Sequence, residues 1–411
     1  MAWGGAVAEI DSRGAPEDTY CLAEWVRARA DEMYGTQWDV REDSRRPRFF
    51  GGFSFDFRSG ARGEAGFWDA FPAAKFVLPV YEVSASGSGA FLTVTSRRGE
   101  PGAEAELRSR AERMRDMIVC LDRQPGATNG IPGATAMEEV VSRKEWAGGV
   151  DAVLAAIRAG TVGKVVLARP LDVTLEEPPD SAAILSALLP VNPLAHIFLA
   201  QFARTNFLVG AAPELIGTLR CPDFRTMAVG GSTPRGADPV ADRWLGRQLL
   251  NSRKDLGEHR IVVDGIIRDL EQAGFSPETD GEPHLLPLHR IQHLRTDILA
   301  CVPPGTHILS LLTVVHPTAA VCGEPAADAL RMIRDAETTD RGWYSGPVGW
   351  FDEKGNGEFA PALRAAVCRG TLMRLFAGAG LVEGSRAGAE WDETRVKLQT
   401  MLSALGLSRL P

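Results

Sequence analysis

Three side chains near the end of the chain carry its densest chemistry. Glu390, Glu393 and Lys397 are spaced by three and four within a run, Glu390 to Leu405, whose apolar Val396, Leu398 and Leu402 recur as in a helix. That spacing projects all three from one face. Upstream, Arg364 lies in the strand-like Ala362 to Val367, and Arg364 and Lys397 flank a glycine turn at Gly378-Ala379-Gly380. A hard dication held by the carboxylates, beside a guanidinium and an ammonium, makes a site for a small oxygen-rich dianion.

Further candidates precede this cluster. Lys164 opens the apolar strand Lys164-Val165-Val166-Leu167-Ala168-Arg169, and from residue type alone it reads as a paired or snorkelling cation. Glu214 follows Pro213 in a turn between apolar segments, which suits a solvated carboxylate as well as an acid. Gly231 and Ser232 sit in a glycine-rich stretch, Ala228 to Gly236, read as a loop whose backbone can come close to a ligand. Asp255 and Glu258 fall in a long helical region, Asp242 to Ala273. His293 and His316 read as core histidines or as supports for a site, since the implied metal prefers oxygen.

The elements that must position these residues belong to a globular protein. With 411 residues, 45% of them hydrophobic and 24% charged, the chain can bury a large core. A net charge of −8 argues against a nucleic-acid partner, so an anionic ligand must be drawn by local cations. Six scattered cysteines without metal-ligand spacing read as free thiols of a reducing cytoplasm. The first residues carry Glu9 and Asp11 and no basic n-region, and no stretch of about 18 to 20 apolar residues occurs, so neither signal peptide nor membrane span is expected. A helix over Glu17 to Met33 is followed by strands at Phe49 to Asp56, Phe76 to Val83 and Ala90 to Ser96, then a helix over Glu104 to Arg123. Gly, Pro, Thr and Asn dominate 124–137, which divides an N-terminal portion, 1–123, from a catalytic portion, 138–411. The latter opens on a helix that Ser142 and Glu145 cap and Gly160 stops. Neither a GxSxG elbow, an HExxH helix, a GxGxxG loop nor a Walker lysine is present.

Taken together, Lys164 to Arg169, Pro213-Glu214, Gly231-Ser232 through Gly236, Lys254-Asp255-x-x-Glu258-His259, Gln292-His293-Leu294, His316-Pro317-Thr318, Arg341-Gly342-x-Tyr344-x-Gly346 and Gly378-Ala379-Gly380 through Glu390-Trp391-x-Glu393-x-x-x-Lys397 resemble the chorismate-binding enzymes. That family includes isochorismate, salicylate, anthranilate and aminodeoxychorismate synthases. Phe50-Gly51-Gly52-Phe53 and Trp68 to Pro79 extend the likeness to nearly the whole chain. The resemblance implies one α+β domain, two stacked and mostly antiparallel sheets ringed by helices, with chorismate buried at one side. It implies Mg²⁺ on Glu258, Glu390 and Glu393, with Asp255 outside them. Lys164 is then the general base for water and Glu214 the acid that protonates the departing C4 hydroxyl. Arg364, Gly378, Tyr344 and Lys397 surround the enolpyruvyl carboxylate, and Gly231, Ser232 and Ala320 line the remaining substrate surface.

Within the family, a lysine at 164 points to water rather than ammonia as nucleophile, hence to isochorismate synthase. No glutaminase-like segment is fused to supply ammonia. Ala320 stands where salicylate synthases resemble one another in a threonine, whereas Tyr344 and Leu363 resemble the branch that also expels pyruvate. The Gly230-Gly231-Ser232-Thr233 stretch departs from the family's Ala-Gly-Thr-Arg. A chorismate-binding relative without turnover is a further alternative, against which every acid, base and metal position is filled. A monomer or weak dimer is expected, with the small molecule as sole partner.

Overall fold

The computed structural model describes residues 2–4, 6–15, 21–34, 46–57, 67–86, 89–96, 103–123 and 130–407. Two antiparallel sheets dominate it. One has seven strands and runs through Gly323–Glu324, Lys164–Leu175, Leu372–Leu381, Ala365–Arg369, Asn206–Ala212 and His196–Ala203, with Ala134–Glu139 also paired to Lys164–Leu175. The other has ten, with Ile291–Cys301, Asp223–Pro234, Gly217–Arg220, Gly357–Pro361, Pro347–Asp352 and Arg48–Phe53 at its centre. Ala74–Leu78 and Ala8–Asp11 extend that second sheet, so the two portions divided at 124–137 share one architecture. A small third sheet joins Ala2–Gly4, Tyr81–Ser86 and Gly89–Val94.

The sheets face each other across an apolar layer. Ala168, Leu208 and Phe376 from the first pack with Val348 of the second and with Trp68, Phe71, Trp343 and Tyr344 beside it. Helices cover the outer faces. Leu22–Tyr34, Arg253–Gln272 and Ile308–Val315 bury Val26, Val262, Ile266 and Leu312 against the larger sheet. Ser181–Leu188 and Ala387–Ala404 bury Ile184, Leu398 and Leu402 against the smaller one. Burial of roughly 25 cal/mol per Å² of apolar surface is what holds such layers together. Among the described residues no helix is long and apolar enough to cross a membrane, and all six cysteines are free.

Local signals set the helix starts. Ser142 Oγ accepts from the Glu145 amide at 3.2 Å while Glu145 Oε2 accepts from the Ser142 amide at 2.8 Å, the reciprocal cap expected of Arg143–Arg158. The helical region 242–273 is two helices, Pro239–Asn251 and Arg253–Gln272, divided at Ser252. Ser252 leaves helical geometry and its Oγ accepts from the Asp255 amide at 3.2 Å, so one residue ends the first helix and caps the second.

Several expectations need correction. The 228–236 stretch is not a loop but mostly the end of the strand Asp223–Pro234. Gly378-Ala379-Gly380 is no turn: it continues the strand Leu372–Leu381, with Gly378 opposite Ala168. Glycine composition suggested punctuation in both places, but the long partners Ile291–Cys301 and Lys164–Leu175 pair Gly230, Gly378, Ala379 and Gly380, while Gly231 bulges out. Arg364 precedes its strand, Ala365–Arg369, instead of lying in it. Within the connection 124–137, residues 124–129 lie outside the described residues and the strand Ala134–Glu139 has already begun. The start of the helix expected from Glu17 also lies outside them, and the described helix is Leu22–Tyr34.

Replacing Ser142 by Ala should cost about 1 kcal/mol in chemical unfolding, and Ser142→Asp should recover most of it.

Candidate active site

A cavity of about 80 Å³ opens between the two sheets. One wall is the pair of strands Lys164–Leu175 and Leu372–Leu381. The opposite wall is the bulged end of Asp223–Pro234, and the helices Arg253–Gln272 and Ala387–Ala404 close it with Glu258, Glu393 and Lys397.

Two glycines let these elements come close enough. Gly231 is the extra residue of a bulge, unpaired between Gly230 opposite Leu294 and Ser232 opposite His293, with φ of +68°. A Cβ there would stand 3.1 Å from the Asp255 carbonyl oxygen, so the glycine admits the start of the Arg253–Gln272 helix. At Gly380 a Cβ would lie 2.3 Å from Glu258 Oε1 and 2.9 Å from Lys164 Cε. Glycine was expected near a ligand, and its use here is to admit a helix and a carboxylate.

Buried ion pairs then fix the walls. Arg341 Nε donates to Glu337 at 2.9 Å, its other nitrogens donate to the Val166 and Val321 carbonyls at 2.7 and 2.8 Å, and Glu337 accepts from the Ala168 amide at 2.7 Å. This strut holds the strand bearing Lys164 against the turn bearing Ala320. Arg169 stacks on Trp391 at 3.6 Å, donates to Thr394 Oγ1 at 2.8 Å and pairs with Glu139. The Ala387–Ala404 helix is thereby pinned to the same strand.

Within the cavity, charge is mostly balanced in pairs. Lys164, 1% exposed, places its Nζ 3.0 Å from Glu258 Oε1. Lys397 Nζ lies 2.6 Å from Glu393 Oε1 and donates to the Gly378 carbonyl at 2.9 Å. Burial alone would raise Glu393, yet Lys397, with a hydrogen bond from Ser232, holds it below the ordinary range. Arg364, with a left-handed φ of +49°, is buried, and that burial brings its guanidinium down to about 10. Glu214 has no such partner. Burial pushes its carboxyl from 4.5 up to about 7, and Lys164, Lys397 and Arg364 oppose that shift only in part.

The oxygen-only set Glu258, Glu390 and Glu393 suits a hard dication. Glu258 and Glu393 line the cavity; Glu390 does not, and its Oε1 instead meets Lys254 Nζ at 2.9 Å. Burial first and Glu393 second raise Glu390, and burial with neighbours including Glu258 and Glu393 raises Asp255. The repulsion that Glu393 exerts on Glu390 is one that a dication between them would relieve. Among the described residues the one acidic or histidine triad with ligand atoms within 4.8 Å of one another is elsewhere, at Asp280, His284 and Asp297.

The remaining expected residues gather at the same place. Gly231, Ser232, Ala320, Tyr344, Arg364 and Gly378 all line the cavity. Tyr344 stacks on Phe376 with ring centroids 4.8 Å apart, and burial raises its phenol to about 12. His316 is a core residue stacked on Phe57 at 5.6 Å. Sequence reasoning missed the pairing of Lys254 with Glu390, 136 positions away, for which no local signal exists. It also missed the contact of His293 with Arg364; the Gln292-His293-Leu294 segment marked the residue but not its partner.

Glu214 is more easily protonated folded than unfolded, so its contribution to stability is fully present below about pH 4.5 and lost as pH rises through about 7. Glu214→Gln, neutral throughout, should gain about 2–3 kcal/mol relative to the parent between pH 5 and pH 8, measured by urea unfolding.

Comparison with known proteins identifies the family. A family model described as chorismate binding enzyme matches residues 2–406. The isochorismate synthase MenF of Bacillus subtilis is 34% identical over 88% of this chain and 75% of its own length. The salicylate biosynthesis isochorismate synthase of Pseudomonas aeruginosa is 35% identical over 100% of this chain and 84% of its own. Among solved structures, the menaquinone-specific isochorismate synthase MenF of Escherichia coli superposes with a TM-score of 0.78 at 26% identity, covering 98% of this chain and 85% of that one. With a family match running almost end to end and relatives a third identical along most of its length, the chain belongs to the chorismate-binding enzymes.

Proposed function

We propose that this protein converts chorismate to isochorismate. The observation that carries the reading is the convergence of the Lys164 amine and the Glu214 carboxyl on one buried cavity that also presents Arg364 and Lys397. The relatives named above as isochorismate synthases support the same reaction.

The two cations Arg364 and Lys397 suit the substrate's carboxylates in a protein whose net charge is −8. Lys164, released from Glu258 and acting as the free amine, takes a proton from water as its oxygen bonds to C2 of the ring. The ring double bonds shift, and the C4–O bond breaks. Glu214, whose raised pKa keeps its proton available near neutrality, protonates that oxygen, which leaves as water. One water enters and one departs, so the net change is an isomerisation. Glu258, Glu390 and Glu393 would hold Mg²⁺, which supplies a positive charge to neutralise and orient the ring carboxylate. For Glu258, Glu390 and Glu393 this means loosening the pairs with Lys164, Lys254 and Lys397. Positioning and fixed electrostatics of this kind each contribute several kcal/mol to lowering a barrier.

A second reading, isochorismate formation followed by loss of pyruvate to give salicylate, is favoured by Tyr344 and Leu363, both of which line the cavity. Ala320, on the same lining, favours the first.

Incubation with chorismate and Mg²⁺ followed by chromatography should yield isochorismate. Salicylate with pyruvate transfers the assignment to the second reading, and unchanged chorismate sinks both. Lys164→Ala and Glu214→Ala should each reduce kcat by roughly 10²–10⁴-fold, and near-normal turnover in a folded variant removes that residue from the chemistry. Chelation by EDTA should abolish turnover and added Mg²⁺ restore it; full activity in EDTA rules out the metal.

A further inference from the structure

The bulge at Gly231 leaves one residue of the Asp223–Pro234 strand outside the ladder, and a buried histidine is seated on it. His293 Nδ1 lies 3.3 Å from the Gly231 carbonyl oxygen, and its Nε2 lies 3.1 Å from Arg364 Nη2. The roles follow from elementary chemistry. A guanidinium only donates, so Nε2 must offer a lone pair; a carbonyl only accepts, so Nδ1 must carry the proton. Both ring nitrogens are thus committed within the protein, and the ring is 6% exposed.

The charged groups around it point the same way. Burial, reinforced by Arg364 and Lys397, brings His293 down to about 3, with Glu393 opposing only in part. Arg364 needs such a partner. Its backbone is held in a left-handed conformation at φ +49°, and its guanidinium must keep one orientation to meet a carboxylate with two parallel hydrogen bonds.

We propose that His293 is a positioning residue: a permanently neutral imidazole, locked in its Nδ1–H form by the Gly231 carbonyl, whose Nε2 lone pair fixes Arg364 for a substrate carboxylate. It neither gives nor takes a proton during turnover. The bulge, the histidine and the arginine form one relay from strand geometry to ligand binding, which explains why the extra residue is placed there.

The state of the ring is tested without substrate. In protein labelled with ¹⁵N-histidine, the His293 signal, identified by its loss in His293→Gln, should show a protonated Nδ1 and an unprotonated Nε2 from pH 5.5 to 8. An imidazolium at pH 6, or an Nε2–H form, overturns the proposal.

The kinetic arm rests on the chorismate reading. His293→Leu, which keeps bulk but offers no acceptor, should raise KM roughly 10–100-fold with kcat within about threefold. His293→Gln, whose side-chain oxygen can accept from Arg364, should return KM to within about fivefold of the parent. Thermal unfolding checks that both variants fold. A large loss of kcat with KM unchanged, or a glutamine variant as impaired as the leucine one, overturns the positioning role in favour of acid–base chemistry or simple packing. If the parent protein leaves chorismate unchanged, the function assignment fails while the ring's protonation state still decides this inference.

Discussion

Charge buried between two apolar layers must be matched, and most of the active-site architecture follows from that constraint. Removing a carboxylate or an ammonium from water costs several kcal/mol unless a partner stands nearby. The cavity answers with pairs, Lys164 on Glu258 and Lys397 on Glu393, and Lys254 meets Glu390 beside it. Glu214 is left outside this pairing and responds by holding its proton to about pH 7. The one carboxyl proposed as an acid is therefore the one whose surroundings keep it neutral. Its burial weakens the fold at neutral pH, a cost expected where a site is built for chemistry instead of stability.

Close approach is the second requirement. A cation and an anion 3 Å apart gain enough only if the elements bearing them cannot drift. Gly380 removes the side chain that would displace Glu258, and Gly231 removes the one that would displace the Asp255 turn. Arg341 with Glu337, and Arg169 against Trp391, then tie the strand that carries Lys164 to the neighbouring turn and helix. These arginines touch no part of the proposed chemistry, yet they fix the distance between groups that do.

The same glycines show how a functional pattern hides in a structural one. In sequence, Gly230-Gly231 and Gly378-Ala379-Gly380 look like interruptions, because glycine carries no side chain to signal a strand. In the fold both lie in long strands, Gly231 as a bulge, and their missing side chains shape the cavity walls.

Much was legible from residues alone. The reciprocal cap at Ser142 and Glu145, the strand opened by Lys164 and the shared face of Glu390, Glu393 and Lys397 follow from backbone periodicity and local hydrogen bonding, which act within a few positions. The ordered motifs were enough to mark the family. What tertiary structure alone decided involves partners far apart in the chain. That Glu390 meets Lys254 instead of the cavity, that Gly231 is a bulge, and that His293 aims Arg364 depend on register between strands and on helix placement. Those distances are set by packing the two sheets, and no local spacing encodes them.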